Sequence, residues 1–166
     1  AAPENLAGEW RERISSDGVK IGIAWSGNPQ RQDDAMRSCP PASLAPLLAV
    51  PGARFFSLQK DAAPGEGMAD VVDLAPELGD FADTAAAVEA LDLVITVDSA
   101  VAHLAGALGR PVWVMLGFSA DWRYLTERED SPWYPSMRLF RLDKRGDWSG
   151  LAARVADRLA PLAADR

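Results

Sequence analysis

The residues with the clearest chemical potential lie in the stretch ITVDSAVAHLAGALGRPVWVML, residues 95–116. Asp98, Ser99 and Ala100 directly follow an apolar run, and His103, the only histidine of the chain, comes four residues after Ser99. If a helix begins here, its first turn offers unpaired N–H groups and the positive end of the helix dipole. Small residues let an anion approach these groups, and His103 would share the face of Ser99. The pattern predicts a phosphate or pyrophosphate site.

A simpler interpretation exists for the same residues. Asp98 would then only cap the helix, and His103 would be an ordinary surface residue. On the helix itself, spacing predicts that Val101, Leu104, Ala105 and Leu108 form the buried stripe, with His103 turned away from the core. The position of this helix in the fold decides between the two interpretations.

Apolar strands alternate with helical segments along the chain. The strand-like runs are continuous rather than alternating, which is typical of a parallel sheet covered on both faces. We therefore expect a single doubly wound α/β domain, Rossmann-like with a mainly parallel sheet, over residues 1–166, with residues 1–15 as a leading helix. The predicted elements are helix Pro3–Ile14, strand Val19–Trp25, helix Pro41–Ala49, strand Ala53–Gln59, strand Val71–Leu74, helix Phe81–Ala90 capped by Asp80, strand Leu91–Val97, helix Asp98–Leu108 stopped by Gly109, strand Pro111–Leu116, strand Met137–Leu142 and helix Trp148–Leu162.

Open parallel sheets bind ligands at the carboxyl ends of their strands. Beside the segment from Asp98 to Ala100, the residues that follow strands are Ser26, Gly27 and Asn28 after the first, and Gln59 and Lys60 after the second. A dinucleotide fingerprint G-x-G-x-x-G is absent after the first strand, and GIAWSGNP has P-loop spacing but Asn28-Pro29 in place of Lys-Ser/Thr. The fold therefore favours the helix after the fourth strand as the ligand site.

Composition limits the partners. The chain has 166 residues and a net charge of −7, which disfavours nucleic acid, because that affinity depends on many Lys and Arg contacts. The single cysteine, Cys39, excludes an intramolecular disulfide and a multi-cysteine zinc site, and fits a reducing cytoplasm. No apolar run reaches the 18 residues of a membrane span.

Several other side chains are interpreted as structural. Trp25 and Trp113 belong to buried strands, and Cys39 is expected to be an inert thiol. The aromatic residues Trp122, Trp133 and Tyr134 are expected to hold an irregular segment onto the sheet, with stacking on a nucleotide base as the alternative. The neighbouring acids Asp33 and Asp34 are interpreted as solvated loop residues.

Three segments resemble a known family. LDLVITVDSAVAHLAGALGRPVWVML resembles the D-[ST]-x-x-x-H-[LI]-A segment of the lipopolysaccharide heptosyltransferases, glycosyltransferase family 9. IGIAWSGNPQRQDDAMRSCP is similar to the first nucleotide-side loop of relatives attached to tetratricopeptide repeats, and DWRYLTEREDSPWYPSMRLFR is similar to their C-terminal block. The resemblance covers nearly the whole chain.

The resemblance implies a GT-B architecture, in which two Rossmann-like domains face each other across a cleft. The C-terminal domain binds the nucleotide of a nucleotide-sugar donor, and the N-terminal domain holds the acceptor and the catalytic base. This chain resembles the C-terminal half. Its implied partners are the nucleotide sugar, the missing N-terminal acceptor domain and, in this subgroup, a tetratricopeptide-repeat region; a homodimer through the open cleft face is a further expectation.

The resemblance also implies roles for residues. The N–H groups of Ser99 and Ala100 would hold the diphosphate, with His103 beside it. Asp98 would orient the helix start or touch the donor sugar. A loop arginine, Arg37 or Arg31, would neutralise leaving-group charge where heptosyltransferases usually have a lysine. The remaining assignments place Ser26, Gly27 and Asn28 along the cleft near the phosphates, and Gln59, Lys60 or Glu66 near the ribose or base; no metal or other cofactor is implied.

Two other functions stay open. The domain would alternatively be a non-catalytic scaffold or partner-binding module of a tetratricopeptide-repeat protein, or would bind a different small nucleotide or phosphate ligand. The direction of Arg31 and Arg37 distinguishes donor binding from the scaffold function, because donor binding needs a positive charge near the helix start at Ser99.

Overall fold

The computed structural model describes residues 2–27, 34–118 and 120–164. This part of the chain has six helices, six strands and three short 3₁₀ turns. In chain order they are α1 Glu4–Arg13, β1 Val19–Ala24, α2 Asp34–Arg37, a 3₁₀ turn Pro41–Leu44, α3 Ala45–Leu48, β2 Ala53–Ser57, β3 Val72–Asp73, a 3₁₀ turn Ala75–Glu77, α4 Phe81–Ala90, β4 Leu93–Val97, α5 Ala100–Ala107, β5 Val112–Leu116, a 3₁₀ turn Trp122–Tyr124, β6 Met137–Arg141 and α6 Trp148–Ala164.

The six strands form one parallel sheet in the order β3-β2-β1-β4-β5-β6. The first half of the chain extends the sheet in one direction from β1, and the second half extends it in the other direction from β4. The change of direction lies between β1 and β4, where Ile21 pairs with Leu93 and Ala24 with Thr96. This confirms the predicted fold class and makes the carboxyl ends of β1 and β4 the topological switch point.

Helices cover both faces of the sheet and create two separate cores. On one face, Ile21, Ile23 and Val97 of the sheet pack with Leu151 and Val155 of α6, and α3 lies against α6. On the other face, Phe56, Val94 and Val114 pack with Trp10 of α1 and Val88 of α4. Strands with apolar side chains on both faces thus have a core on each side, as the continuous apolar runs predict.

Local signals fix some element ends more sharply than others. Helix α4 has the predicted bounds. A capping box fixes its start, since Asp80 accepts from Ala82 N and Asp83 N while Asp83 accepts from Asp80 N. Gly109 has φ +67° just after α5, a conformation that suits glycine. The predicted strands are one or two residues too long, because apolar side chains continue beyond the paired backbone.

Two predictions of local structure are wrong. Asp34–Arg37, predicted as part of a polar loop, forms the short helix α2. The buried residues of α5 are Ala102, Ala105 and Gly106, whereas Val101, Leu104 and Leu108 are only partly buried. Gly106 faces the ring of Tyr134 closely: a Cβ built there would be 2.5 Å from Tyr134 Cγ.

None of the described helices combines the length and the apolar character needed to cross a lipid bilayer.

Candidate functional site

A buried carboxylate joins three loops at the switch point. Asp98 follows β4 and is 5% exposed. Its Oδ2 lies 2.7 Å from Arg37 Nη2, and its Oδ1 accepts a hydrogen bond of 2.8 Å from the hydroxyl of Tyr124. Arg37 Nη2 also donates to the backbone oxygen of Asp98 at 2.8 Å. The connections after β1, β4 and β5 therefore meet at one charged group.

Helix α2 brings Arg37 to this position. Ser38 N donates to the Asp34 backbone oxygen, and Ser38 Oγ bonds both Asp34 Oδ2 and Gly27 N, which ties the helix to the end of β1. A Cβ on Gly117, just after β5, would lie 2.2 Å from Met36 O. Only glycine lets the loop after β5 pass the backbone of α2 this closely.

No side chain of the described residues caps the start of α5. Ser99 is the N-cap residue and has an extended backbone, but its side chain makes no hydrogen bond to the first turn. Ser99 Oγ lies instead 2.9 Å from Thr96 Oγ1. The interpretation of Asp98 as the helix cap is wrong, since its carboxylate bonds Arg37 and Tyr124. The first N–H groups of α5 therefore remain oriented toward the carboxyl edge of the sheet.

His103 lies one turn into α5, beside this carboxylate. Its Nε2 is 3.8 Å from Asp98 Oδ1, and its side chain is 34% exposed. The imidazole stacks on Tyr124 with ring centroids 6.3 Å apart and meets Tyr134 at 5.8 Å. The structure thus brings two of the predicted catalytic residues, Arg37 and His103, to the third, Asp98.

Tyr124 is a site residue that the sequence analysis missed. Burial is the largest cause that raises the pKa of its hydroxyl, and the neighbouring Asp98 charge raises it further. The hydroxyl therefore stays protonated and serves as a donor to Asp98. Tyr124 lies 26 positions after Asp98, in an irregular segment, so no short-range spacing indicates the pair.

An aromatic pocket of about 410 Å³ adjoins His103. Trp122 is 72% and Trp133 59% exposed, so the prediction that both hold the loop onto the sheet is wrong. Tyr134 does pack inward, against Gly106. The residues lining this space, here called the aromatic pocket, are His103, Trp122, Arg123, Tyr124, Ser131, Trp133 and Tyr134.

The side chains predicted near the ribose or base have other partners. Gln59 is buried, and its Oε1 accepts from Trp25 N and Ser26 N, which joins the ends of β1 and β2. Lys60 Nζ donates to Gly79 O at 2.6 Å, and Glu66 is exposed. Their contact with a nucleotide stays a prediction.

The loop after β1 lies partly outside the described residues. Ser26 and Gly27 are partly buried, and a Cβ on Gly27 would lie 2.7 Å from Asp34 Oδ1 and 3.7 Å from Asp98 O. Asn28, Arg31 and Asp33 fall outside the described residues. Of the two loop arginines, the structure describes Arg37, which contacts Asp98 just before α5.

The buried residues named as structural behave as predicted. Trp25 and Trp113 are 3% and 9% exposed. Cys39 is buried, which raises the pKa of its thiol to about 12 and keeps it protonated near neutral pH. In the described ranges, His, Cys, Asp and Glu side chains form no group of three suited to a metal ion.

One family model and one relative match this chain in sequence. The sequence profile of glycosyltransferase family 9 (heptosyltransferase) matches residues 58–143. Protein FlbA of Caulobacter vibrioides is 32% identical over 170 residues, which cover 93% of this chain and 28% of FlbA. The chain therefore spans less than a third of that relative.

Two solved structures from E. coli share the fold. ADP-heptose LPS heptosyltransferase II superposes with a TM-score of 0.68 at 20% identity, over 99% of this chain and 53% of that one. Heptosyltransferase WaaC with ADP gives a TM-score of 0.53 at 18% identity, over 95% of this chain and 48% of that one. The chain spans about half the length of each.

Proposed function

The chain belongs to glycosyltransferase family 9, and from this we propose that it is the nucleotide-sugar donor-binding half of a GT-B glycosyltransferase, which holds the donor diphosphate at the N-terminus of α5. The acceptor site and the catalytic base would lie in the part of a longer protein that the solved relatives have and this chain does not span. A structure of WaaC holds ADP, which supports a nucleotide diphosphate as the ligand of the shared fold.

The observation that carries the proposal is the contrast between two helix starts at the carboxyl edge. The first turn of α4 is occupied by the Asp80–Asp83 capping box, so its N–H groups already have carboxylate partners. The first turn of α5 has no cap from the side chains that the structure describes, and it lies at the switch point between β1 and β4. Backbone N–H groups and the helix dipole make such an end suited to a phosphate.

Arg37 supplies the positive charge that the donor needs. Transfer breaks the bond between the anomeric carbon and the diphosphate oxygen, and the departing nucleoside diphosphate gains negative charge. Fixed positive groups near that oxygen lower the barrier. Arg37 already lies over the start of α5, held by the backbone oxygen and carboxylate of Asp98.

Asp98 is then a positioning residue and not a base. Both of its carboxylate oxygens have partners, Arg37 on one and Tyr124 on the other. His103 is next to them and partly exposed, so its imidazole is in place to hydrogen-bond a phosphate oxygen. Arg37, the first turn of α5 and His103 thus form one cationic and donor-rich face.

Calorimetric titration with ADP, UDP, GDP and CDP tests the proposal. We expect one diphosphate to bind, and His103→Ala and Ala100→Pro to weaken it, each by roughly tenfold or more, the value of a hydrogen bond to a charged group. Proline fits the first position of a helix, and Ser99 before it is already extended, so Ala100→Pro removes one N–H without breaking α5.

Phe81→Pro is the matched control, because it makes the same backbone change at the first position of α4, whose start is capped by Asp80. Equal affinity in wild type and Ala100→Pro would move the diphosphate away from α5. If none of the four diphosphates binds, the proposal fails and the scaffold function becomes the better account.

A further inference from the structure

The aromatic pocket is continuous with the proposed diphosphate site. His103 and Tyr124 line the pocket, and both also approach Oδ1 of Asp98, at 3.8 Å and 2.8 Å. A ligand group attached directly to the diphosphate at the start of α5 therefore reaches the pocket without crossing the sheet.

Polar contacts fix the pocket walls while the indole faces stay in solvent. Trp133 Nε1 donates to Arg123 O at 3.1 Å, and Trp133 N donates to Ser131 Oγ at 3.2 Å. Arg123 is held by Asp121, which accepts from both its backbone N and its Nη2. Trp133 is thus held in place yet exposed, and the neighbouring Trp122 is 72% exposed, which is typical of a binding surface.

We propose that the aromatic pocket binds the sugar ring of the nucleotide-sugar donor, with the ring's C–H face on Trp122 and Trp133. This inference rests on the proposed donor-binding function. The C–H groups on one face of a pyranose are apolar and suit an indole, whereas a hydroxyl group of the sugar suits Ser131 Oγ, which accepts from Trp133 N and keeps a proton to donate.

The lining of the aromatic pocket favours the sugar over the base as its ligand group. Five of the seven residues that line it carry aromatic rings, and the other two are Arg123 and Ser131. The edge of a base is read by several donors and acceptors, few of which such a lining supplies. The C–H face of a sugar needs only a ring face, so we assign the sugar to the aromatic pocket.

The test compares each diphosphate with its sugar conjugate by calorimetry: ADP with ADP-heptose, UDP with UDP-glucose, and GDP with GDP-mannose. For the pair that binds, we expect Trp122→Ala and Trp133→Ala to weaken the sugar nucleotide roughly three- to tenfold, the range of one aromatic contact, and to leave the diphosphate unchanged. Trp122→Phe should keep most of the affinity. Leu162→Ala, an exposed apolar change on α6, is the control and should alter neither.

Equal weakening of the diphosphate and its sugar conjugate would mean that the base stacks in the pocket, and would overturn the inference. No weakening of either would also overturn it. Saturation-transfer NMR with methyl glucoside and methyl mannoside separates this inference from the proposed function, since it needs no diphosphate. If saturation reaches the ring C–H protons in the wild type but not in Trp122→Ala, the sugar site is supported, even if every diphosphate fails to bind. If a diphosphate binds but neither the glycosides nor the sugar conjugates show this transfer, the sugar site alone is overturned.

Discussion

Arg37 and Asp98 lie 61 positions apart in the sequence but share two contacts, from Nη2 to the backbone oxygen and to the carboxylate of Asp98. Both side chains are largely buried, at 15% and 6% exposure. The pair therefore does two things: it holds the start of α5 against α2, and it keeps a positive charge at the proposed diphosphate site. We therefore expect this contact to affect both stability and the proposed ligand binding.

Arg37→Ala should be strongly destabilising, because it leaves the buried Asp98 carboxylate without its cationic partner. We expect a loss of about 3 kcal/mol in the free energy of unfolding, measured by urea denaturation. Arg13→Ala is the matched control, since its pair with Glu77 has side chains 43% and 47% exposed. That change should cost less than about 1 kcal/mol. Similar losses in both variants would contradict the role assigned to the buried pair.

Tyr124→Phe should lower stability without changing the pocket's shape. The variant removes the hydroxyl that donates to Asp98 Oδ1, and a buried acceptor without its donor costs about 1–3 kcal/mol. Tyr134→Phe provides the comparison, because the Tyr134 hydroxyl has no hydrogen bond within the described part of the chain. Its unfolding midpoint in urea should stay near that of the wild type. An unchanged midpoint in Tyr124→Phe would show that Asp98 does not depend on the hydroxyl.

Gly106→Ala and Gly8→Ala should change stability in opposite directions. Both glycines lie inside helices, where alanine is intrinsically better by about 0.5–1 kcal/mol. At Gly8 an added Cβ meets nothing within 4 Å, so the melting temperature should rise. At Gly106 the Cβ would lie 2.5 Å from the Tyr134 ring, and overpacking should cost about 1–3 kcal/mol. A stabilised Gly106→Ala would mean that Tyr134 does not pack on α5.

Cys39 should resist alkylation in the folded protein. Burial raises the pKa of its thiol from 9.0 to about 12, so little thiolate exists at pH 8. Iodoacetamide should label it slowly in buffer and quickly in urea. Because the folded pKa is the higher one, the neutral thiol favours folding below pH 9, and this contribution is lost as pH rises toward 12. In Cys39→Ala, the free energy of unfolding should decline less between pH 9 and pH 12 than in the wild type. Rapid labelling of the native protein by iodoacetamide would contradict the buried, protonated thiol.

The sequence predicts elements whose signals are local. Continuous apolar runs mark the parallel strands, and Asp80 with Asp83 fixes the start of α4. The start of α5 after a central strand also follows from neighbouring residues, and its binding of an anion stays a prediction. The buried face of α5 could not be predicted, because it depends on Tyr134, a residue from another segment that covers Gly106.

The site's charged contacts depend on pairs that lie far apart. Arg31 and Arg37 are both candidates by sequence. The contact of Arg37 with Asp98 depends on the folding of α2, which no local pattern indicates, and Arg31 lies outside the described residues. Tyr124 meets Asp98 from an irregular segment with no periodic pattern to indicate which side chain turns inward. For the same reason, the exposed positions of Trp122 and Trp133 could not be foreseen.

The junction of Arg37, Asp98 and Tyr124 also has a consequence for folding order. Its three members come from connections separated by 61 and 26 positions, so the junction closes only after strands from both halves of the sheet have paired. Closing such distant segments is slow compared with forming the helix α5 itself. A partly assembled chain would have the helix start without its positive charge. Ligands that need both would therefore select the completed fold, and donor binding would raise the protein's thermal stability in proportion to the logarithm of ligand concentration.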